Sequence, residues 1–259
     1  MHEPPVPIAL DDQLRREIAH AGSAISFAQF MELALYAPGV GYYEQSAQVV
    51  GKRGDFFTSV SVGPVFGELL AFQFCQWLDE LPPPWHLVEA GAHDGRLAAD
   101  ILGWFRTHRP EQAREIQLWL VEPSPTRREW QGKTLAEFGD QVQFAQDLAS
   151  LALGTGGVRG VIYSNELLDA FPVHRVRWDS KSPGWYEVGV TWNGARFAWQ
   201  PLPRVSASTE AGIRRLNRLP PELLQVLPDG FTTELSAAAP QWWRQAAEIV
   251  RSGWLMTAD

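Results

Sequence analysis

A short loop rich in glycine and alanine joins a predicted strand to a predicted helix, and it reads Glu89-Ala90-Gly91-Ala92-His93-Asp94-Gly95. Glycine lets the backbone turn sharply and approach a ligand closely, and the start of the following helix offers unpaired N–H groups. The dinucleotide fingerprint Gly-x-Gly-x-x-Gly needs a third glycine, and none fits the spacing of Gly91 and Gly95. The loop therefore disfavours an NAD(P)-linked oxidoreductase, while an ordinary strand–helix turn without a ligand stays an alternative.

The spacing Glu-x-Gly-x-x-x-Gly is the pattern of class I methyltransferases, in which the loop wraps the methionine part of S-adenosylmethionine. Glu89 ends the predicted strand, where a carboxylate suits the cationic amino and sulfonium groups of that cofactor. Glu122 ends the next strand, and an acid there in nucleotide-binding α/β folds accepts hydrogen bonds from both ribose hydroxyls. Asp147 follows the third strand, a position that often meets the adenine amino group.

Each of these acids alone is explained as a solvated loop charge. Ligands of parallel α/β sheets bind at the carboxyl ends of the strands, and the three acids follow three consecutive strands. Together they favour a cofactor site.

A second acidic stretch follows the predicted fourth strand and reads Ser164-Asn165-Glu166-Leu167-Leu168-Asp169-Ala170-Phe171-Pro172-Val173. Methyl transfer from a sulfonium is an in-line displacement, so an enzyme must mainly position the acceptor and expose its lone pair. An arginine acceptor stays charged, and one or two carboxylates would hold its guanidinium in bidentate fashion. Glu166 and Asp169 are candidates for this role, with a turn or helix-start acid as the alternative for Asp169.

Alternating strands and helices must position these loops. Strands are predicted at 85–90, 115–122, 141–146 and 160–165, and helices at 96–107 and 126–138. Strand–helix–strand spacing of this kind predicts parallel strands with crossover helices, and hence an α/β, doubly wound, mainly parallel sheet. Residues 1–81 are predicted to form a helical and cleft-covering N-terminal region, and 82–259 a Rossmann-like domain. An insertion at about 174–230 carries a β-hairpin that turns at Asn193-Gly194.

Composition excludes several classes of protein. Thirty acidic against 22 basic residues give a formal charge of −8, which argues against a general nucleic-acid binder. The single cysteine, Cys75, excludes an internal disulfide framework and a cysteine zinc cage, and the histidines lack zinc-site spacing, so no metal is expected. We find neither a membrane span nor a signal-peptide pattern and expect a cytoplasmic protein.

Five stretches of the chain resemble the MidA-like class I methyltransferases, whose mitochondrial members are arginine methyltransferases acting in respiratory complex I assembly. They lie at 30–43, 54–68, 89–102, 121–124 and 165–173. The most specific is the stretch that begins Asn165-Glu166-Leu167-Leu168-Asp169.

The resemblance implies a mainly parallel seven-stranded sheet, S-adenosylmethionine as cofactor, and a protein arginine as methyl acceptor, with the 41–59 region folding over the cleft. It assigns cofactor binding to Gly91, Gly95, Glu122 and Asp147. It places Thr58 and Ser59 near the methionine moiety, and Asn165, Glu166 and Asp169 near the acceptor.

Two features depart from the family pattern. The family loop usually reads Gly-Pro-Gly-x-Gly, and His93 stands at its middle glycine, where a positive φ would cost about 1 kcal/mol. Family members continue past an Asp-Tyr-Gly, whereas this sequence ends at Asp259, so we expect an unfinished sheet. The departures leave a non-catalytic assembly factor that binds S-adenosylmethionine as the alternative to the methyltransferase.

Overall fold

The computed structural model describes residues 9–45 and 63–259, which divide into two compact units. The described parts of Met1–Gln45 and Phe171–Gln241 form the first, here called the insertion unit. Those of Ser46–Ala170 and Trp242–Asp259 form the second, the parallel-sheet unit. Thr58, Ser59 and most of the predicted cleft-covering segment lie outside the described residues.

The elements are numbered in chain order over the described residues. The strands are β1 (Ile25–Ser26), β2 (Trp85–Ala90), β3 (Ile116–Val121), β4 (Val142–Ala145), β5 (Val158–Asn165), β6 (His174–Asp179), β7 (Gly184–Trp192), β8 (Phe197–Pro201), β9 (Thr232–Leu235) and β10 (Val250–Ala258). The α-helices are α1 (Leu10–His20), α2 (Phe27–Tyr36), α3 (Val65–Leu78), α4 (Arg96–His108), α5 (Pro110–Glu115), α6 (Pro125–Thr134), α7 (Leu148–Thr155), α8 (Ala207–Leu216), α9 (Pro221–Val226) and α10 (Ala238–Ile249).

The parallel-sheet unit confirms the predicted doubly wound sheet. Its strands lie in the order β10-β5-β2-β3-β4, and every neighbouring pair is parallel. Ala90 lies opposite both Val121 and Ser164, so the loops that follow these strands leave from the same edge. Among the described residues this sheet has five strands, against the seven that the resemblance implies.

Alternating residues of the central strands feed two cores. Leu87 of β2 belongs to a buried cluster with Phe74 of α3 and Phe105 of α4. Val88, its neighbour, belongs to a second cluster with residues of α7 and α10. Because successive side chains of a strand point to opposite faces, these clusters place helices on both sides of the sheet. The sheet is thus buried on both faces, and its carboxyl edge is left for loops.

The insertion unit contains an antiparallel sheet in the order β1-β7-β6-β9, with β8 also paired to β7. The predicted hairpin at Asn193-Gly194 is confirmed, since Thr191 pairs with Ala198 on either side of it. The segment at 25–26 joins this sheet through the pairing of Ile25 with Val190. The compact units therefore divide the chain differently from the expected boundary at 81/82, because backbone pairing joins segments far apart in sequence.

The N-terminus of α2 is capped by side chains close to it in the sequence. Ser26 accepts a hydrogen bond from the Gln29 amide, and the Gln29 side chain accepts one from the Ser26 amide, so the two residues form a capping box. Within the described residues, no helix has the length and apolar character needed to cross a membrane.

Candidate functional site

The loop between β2 and α4 has three left-handed residues within five positions. The φ angles of Gly91, His93 and Gly95 are +75°, +46° and +84°. A Cβ on Gly91 would lie 2.9 Å from Leu167 Cδ1, and one on Gly95 would lie 3.3 Å from Gln131 Cα. Conformation therefore favours glycine at both positions, and at Gly95 the backbone of Gln131 also leaves little space for a side chain. His93 does adopt the positive φ at which a non-glycine residue carries a cost of about 1–2 kcal/mol.

Glu89 lies beneath this loop and is 2% exposed. The Tyr163 hydroxyl donates a hydrogen bond to its carboxyl group over 3.2 Å. Burial raises the pKa of Glu89 to about 8, although the hydrogen bonds from Tyr163 and from the Ala98 amide act in the opposite direction. Ala98 lies in the first turn of α4, so Glu89 joins the sheet to the start of this helix. Its direct contact with a cofactor stays a prediction.

Glu122 follows β3 and is 1% exposed. Its Oε1 accepts hydrogen bonds from the Ser124 amide at 2.9 Å and pairs with Arg127 Nη2 at 3.0 Å. Burial raises the pKa of Glu122, and the positive charge of Arg127 offsets part of this. The carboxylate thus lies at the carboxyl edge of the sheet, as a ribose acceptor requires.

Gln131 of α6 is a further residue of this cluster, and it is fully buried. Its Nε2 donates hydrogen bonds to the His93 carbonyl at 3.1 Å and to Glu122 Oε2 at 3.2 Å. Gln131 was not predicted from the sequence, since one amide side chain in a polar helix has no distinctive pattern. The only available signal is the 127, 131, 135 spacing, which puts Arg127, Gln131 and Leu135 on one helical face.

Asp147 caps the N-terminus of α7, a helix that the sequence analysis did not predict. Its Oδ1 accepts hydrogen bonds from the amide and the hydroxyl of Ser150, both at 2.7 Å. The amide hydrogen bond from Ser150 lowers the pKa of Asp147, so the group is a carboxylate near neutral pH. The structure shows this capping role, and contact with adenine stays a prediction.

The acidic loop after β5 is held by the end of β10. The Glu166 amide donates to the Ala258 carbonyl at 2.8 Å, and Glu166 itself has a φ of +51°. Asp259 Oδ1 accepts from the amides of Leu168 and Asp169 at 3.1 and 3.4 Å. Its Oδ2 accepts from the Thr257 hydroxyl at 2.8 Å. Asp259 was predicted only as the place where the chain stops, and its carboxylate shapes the loop.

Three carboxylates consequently lie at this loop: Glu166 and Asp169, which belong to it, and Asp259, which binds its amides. Desolvation, followed by the negative charges of Asp169 and Asp259, raises the pKa of Glu166. Glu166 and Asp169 are exposed, whereas Asn165, the last residue of β5, is half-buried. Leu167 links this loop to the glycine loop through its contact with Gly91. The predicted acceptor residues thus lie next to the predicted cofactor loop. Thr58 and Ser59, which were predicted near the methionine moiety, lie outside the described residues.

No group of three or more histidine, cysteine, aspartate or glutamate side chains suited to a metal ion occurs in 9–45 and 63–259. Carboxylates, backbone amides and an amide side chain make up the site. Such groups suit a polar organic ligand with hydroxyl groups and positive charge.

Comparison with known proteins identifies relatives of this chain among methyltransferases. Residues 69–259 match the family model described as "Putative S-adenosyl-L-methionine-dependent methyltransferase". Protein arginine methyltransferase NDUFAF7 of Mus musculus is 33% identical over 232 residues, covering 79% of this chain and 51% of the mouse protein. The Drosophila melanogaster homolog is 29% identical over 199 residues, covering 70% and 44%. The chain thus spans about half the length of the curated relatives it matches.

Two crystal structures of a Burkholderia thailandensis superfamily protein share the fold. The form bound to S-adenosyl-homocysteine has a TM-score of 0.76 at 29% identity and covers 98% of this chain and 65% of that one. The native form has a TM-score of 0.73 at 28% identity, with 98% and 64% covered. With its parallel sheet and a family match over 69–259, the chain belongs to this S-adenosyl-L-methionine-dependent methyltransferase family.

Proposed function

We propose that the protein transfers a methyl group from S-adenosylmethionine to an arginine side chain of a partner protein. The observation that carries this proposal is the group of carboxylates at Glu166, Asp169 and Asp259, next to the glycine loop. The similarity to proteins named as arginine methyltransferases supports the choice of acceptor.

The residues present fit the cofactor. Gly91 and Gly95 hold the loop in a left-handed turn with its backbone bare of side chains, and Glu122 offers a buried carboxylate to ribose hydroxyls. When bound, S-adenosylmethionine supplies an electrophilic methyl group on a sulfonium. The Tyr163 hydroxyl and the Ala98 amide hold Glu89 against the first turn of α4, the helix that follows the loop.

The residues proposed to bind the methyl acceptor attract it through their negative charge. A guanidinium has a pKa above about 12, and paired carboxylates bind it through parallel N–H···O contacts. Glu166 and Asp169 would hold two guanidinium nitrogens and leave the third directed at the methyl carbon. Methylation of that nitrogen would break the C–S bond and leave the sulfur as a neutral thioether, and a carboxylate would accept the proton that the nitrogen loses. The raised pKa of Glu166 suits it to take that proton.

Labelled S-adenosylmethionine and an arginine-rich protein such as a histone test the proposal. We expect label in methylarginine after acid hydrolysis, and a loss of about 100-fold in rate for Glu166→Gln and for Asp169→Asn. Glu137→Gln is the matched control, since Glu137 is an exposed acid of the same unit in the 3-10 turn at 136–141.

Label in lysine would overturn the arginine assignment, and equal rates in the three variants would overturn the roles of Glu166 and Asp169. Binding of S-adenosylhomocysteine without transfer to any protein of a cell lysate would favour the assembly factor instead. His93 at φ +46° is the observation that keeps this second function in view, because it departs from the glycine of the family loop.

A further inference from the structure

We propose that Gln131 is a positioning residue that couples the glycine loop to the ribose-binding carboxylate, so that the two halves of the cofactor site are held in one geometry. The inference rests on the proposed function, because it assigns Glu122 to the ribose. It concerns a helix, α6, to which the sequence analysis gave no role in the site.

One amide group of Gln131 makes both connections. A side-chain amide nitrogen has two protons, and here one is donated to the His93 carbonyl and the other to Glu122 Oε2. The first contact holds the loop at His93, where the left-handed backbone conformation is unfavourable for a residue other than glycine. The second orients the carboxylate, so a shift of one partner moves the other.

Close packing holds Gln131 in place. Gly95 lies near the backbone of α6, and a Cβ there would be 3.3 Å from Gln131 Cα. At the other end of the helix, the Ser124 hydroxyl accepts a hydrogen bond from the Arg127 amide and caps the first turn. The side chain of Gln131 is fully buried, so water cannot replace it cheaply.

The remaining oxygen of this amide supports the same role. Gln131 Oε1 is buried and accepts no hydrogen bond within the part of the chain that the structure describes. An unsatisfied buried acceptor is costly, and a hydroxyl donor from a ligand or an ordered water would relieve it. Both partners of Nε2 are acceptors, so their positions fix the orientation of the amide.

The variants Gln131→Leu and Gln131→Glu test the coupling. Leucine keeps most of the volume and removes both hydrogen bonds, and we expect S-adenosylhomocysteine to bind roughly 10- to 50-fold more weakly by calorimetry. Glutamate places a second negative charge against Glu122 and the His93 carbonyl, and we expect a larger loss.

The pH profile separates positioning from a general loss of packing. Arg127 is the charged side chain that faces Glu122, and the Gln131 hydrogen bond adds to its effect in lowering the pKa of Glu122. Without that bond the pKa of Glu122 rises further, so the acid limb of the affinity profile shifts to higher pH in Gln131→Leu. A purely structural defect would weaken binding equally at each pH.

Gln141→Leu is the matched control. Gln141 Nε2 also donates to two acceptors, the carbonyls of Ala113 at 2.6 Å and Ile116 at 3.0 Å, where β3 begins rather than ends. We expect wild-type affinity from this variant. If folded Gln131→Leu binds S-adenosylhomocysteine within twofold of Gln141→Leu, the positioning role is overturned and the proposed function stands. If the wild type itself fails to bind, the proposed function fails as well.

Discussion

Glu122 in the parallel-sheet unit and Glu187 in the insertion unit are both 1% exposed, and each accepts a backbone amide hydrogen bond. Glu187 Oε1 lies 2.7 Å from His174 Nδ1, and its Oε2 accepts from the Ser206 amide at 2.7 Å. Burial acts to raise the pKa of both carboxyls. At Glu187 the bonds from His174 and Ser206 outweigh it and lower the pKa, whereas the pKa of Glu122 stays raised.

The difference separates a structural carboxylate from one suited to a ligand. His174 joins Glu187 to Ser208 through its other ring nitrogen, at 2.8 Å, so β6, β7 and the start of α8 are tied together. The chain itself satisfies Glu187. Burial still dominates at Glu122, so further donors such as ribose hydroxyls would stabilise its charged form.

Removing Glu122 should have the largest effect on binding. We expect Glu122→Ala to weaken S-adenosylhomocysteine binding by about 3 kcal/mol, or roughly 100-fold, because two charge-assisted hydrogen bonds to the ribose are lost. Isothermal titration calorimetry measures this loss. Glu187→Gln is the control variant, and we expect it to bind S-adenosylhomocysteine with wild-type affinity. Unchanged affinity in Glu122→Ala would place the ribose elsewhere.

Removing the charge of Glu187 should instead affect stability. We expect Glu187→Gln to lower the free energy of unfolding by about 2–3 kcal/mol in urea denaturation at pH 7, because two strong hydrogen bonds are weakened. The pKa of Glu187 is lower in the folded state, so its contribution is present above about pH 4.5 and is lost as the pH falls further. Glu234→Gln is the control at an exposed position of β9, and its free energy of unfolding should equal that of the wild type. Equal stability of the two variants would contradict the structural role of Glu187.

Glu89 is a third buried carboxyl group, and we expect it to make the stability of the fold depend on pH. Its pKa is raised to about 8 by burial, so between about pH 4.5 and 8 the folded state holds a proton that the unfolded state has lost. Unfolding free energy should therefore fall as the pH rises through this window. Glu89→Gln lacks this titration, and we expect it to gain about 1–2 kcal/mol relative to the wild type between pH 6 and pH 8. Parallel urea profiles at the two pH values would show that Glu89 is charged in the folded protein.

The smallest effect is expected at His93. Glycine there removes a left-handed cost of about 1–2 kcal/mol but adds about 0.5–1 kcal/mol of unfolded-state entropy, leaving a net gain of about 0.5 kcal/mol. Thermal denaturation measures it, with Ala92→Gly as a control that should destabilise, since Ala92 is not among the positive-φ residues. Destabilisation by His93→Gly would mean that the imidazole contributes more than its conformation costs.

The sequence predicted the parallel sheet, the glycine loop and the acids at the strand ends because each has a local pattern. Apolar strands, helical periodicity and glycine spacing depend on residues close in the chain. It did not predict the extent of the insertion unit, whose sheet pairs Ile25 with Val190. That pairing depends on contacts between distant segments, which leave no periodic trace.

The acids reach the carboxyl edge of the sheet because of their places in the chain: Glu122 and Asp147 follow β3 and β4, and Glu166 and Asp169 follow β5. The contacts that they make there come from the tertiary structure. It made Asp147 a helix cap, put Glu89 against Tyr163, and brought Gln131 between His93 and Glu122. The position of each strand along the chain follows from local pattern, whereas the partner of a buried polar group depends on which distant element packs over it.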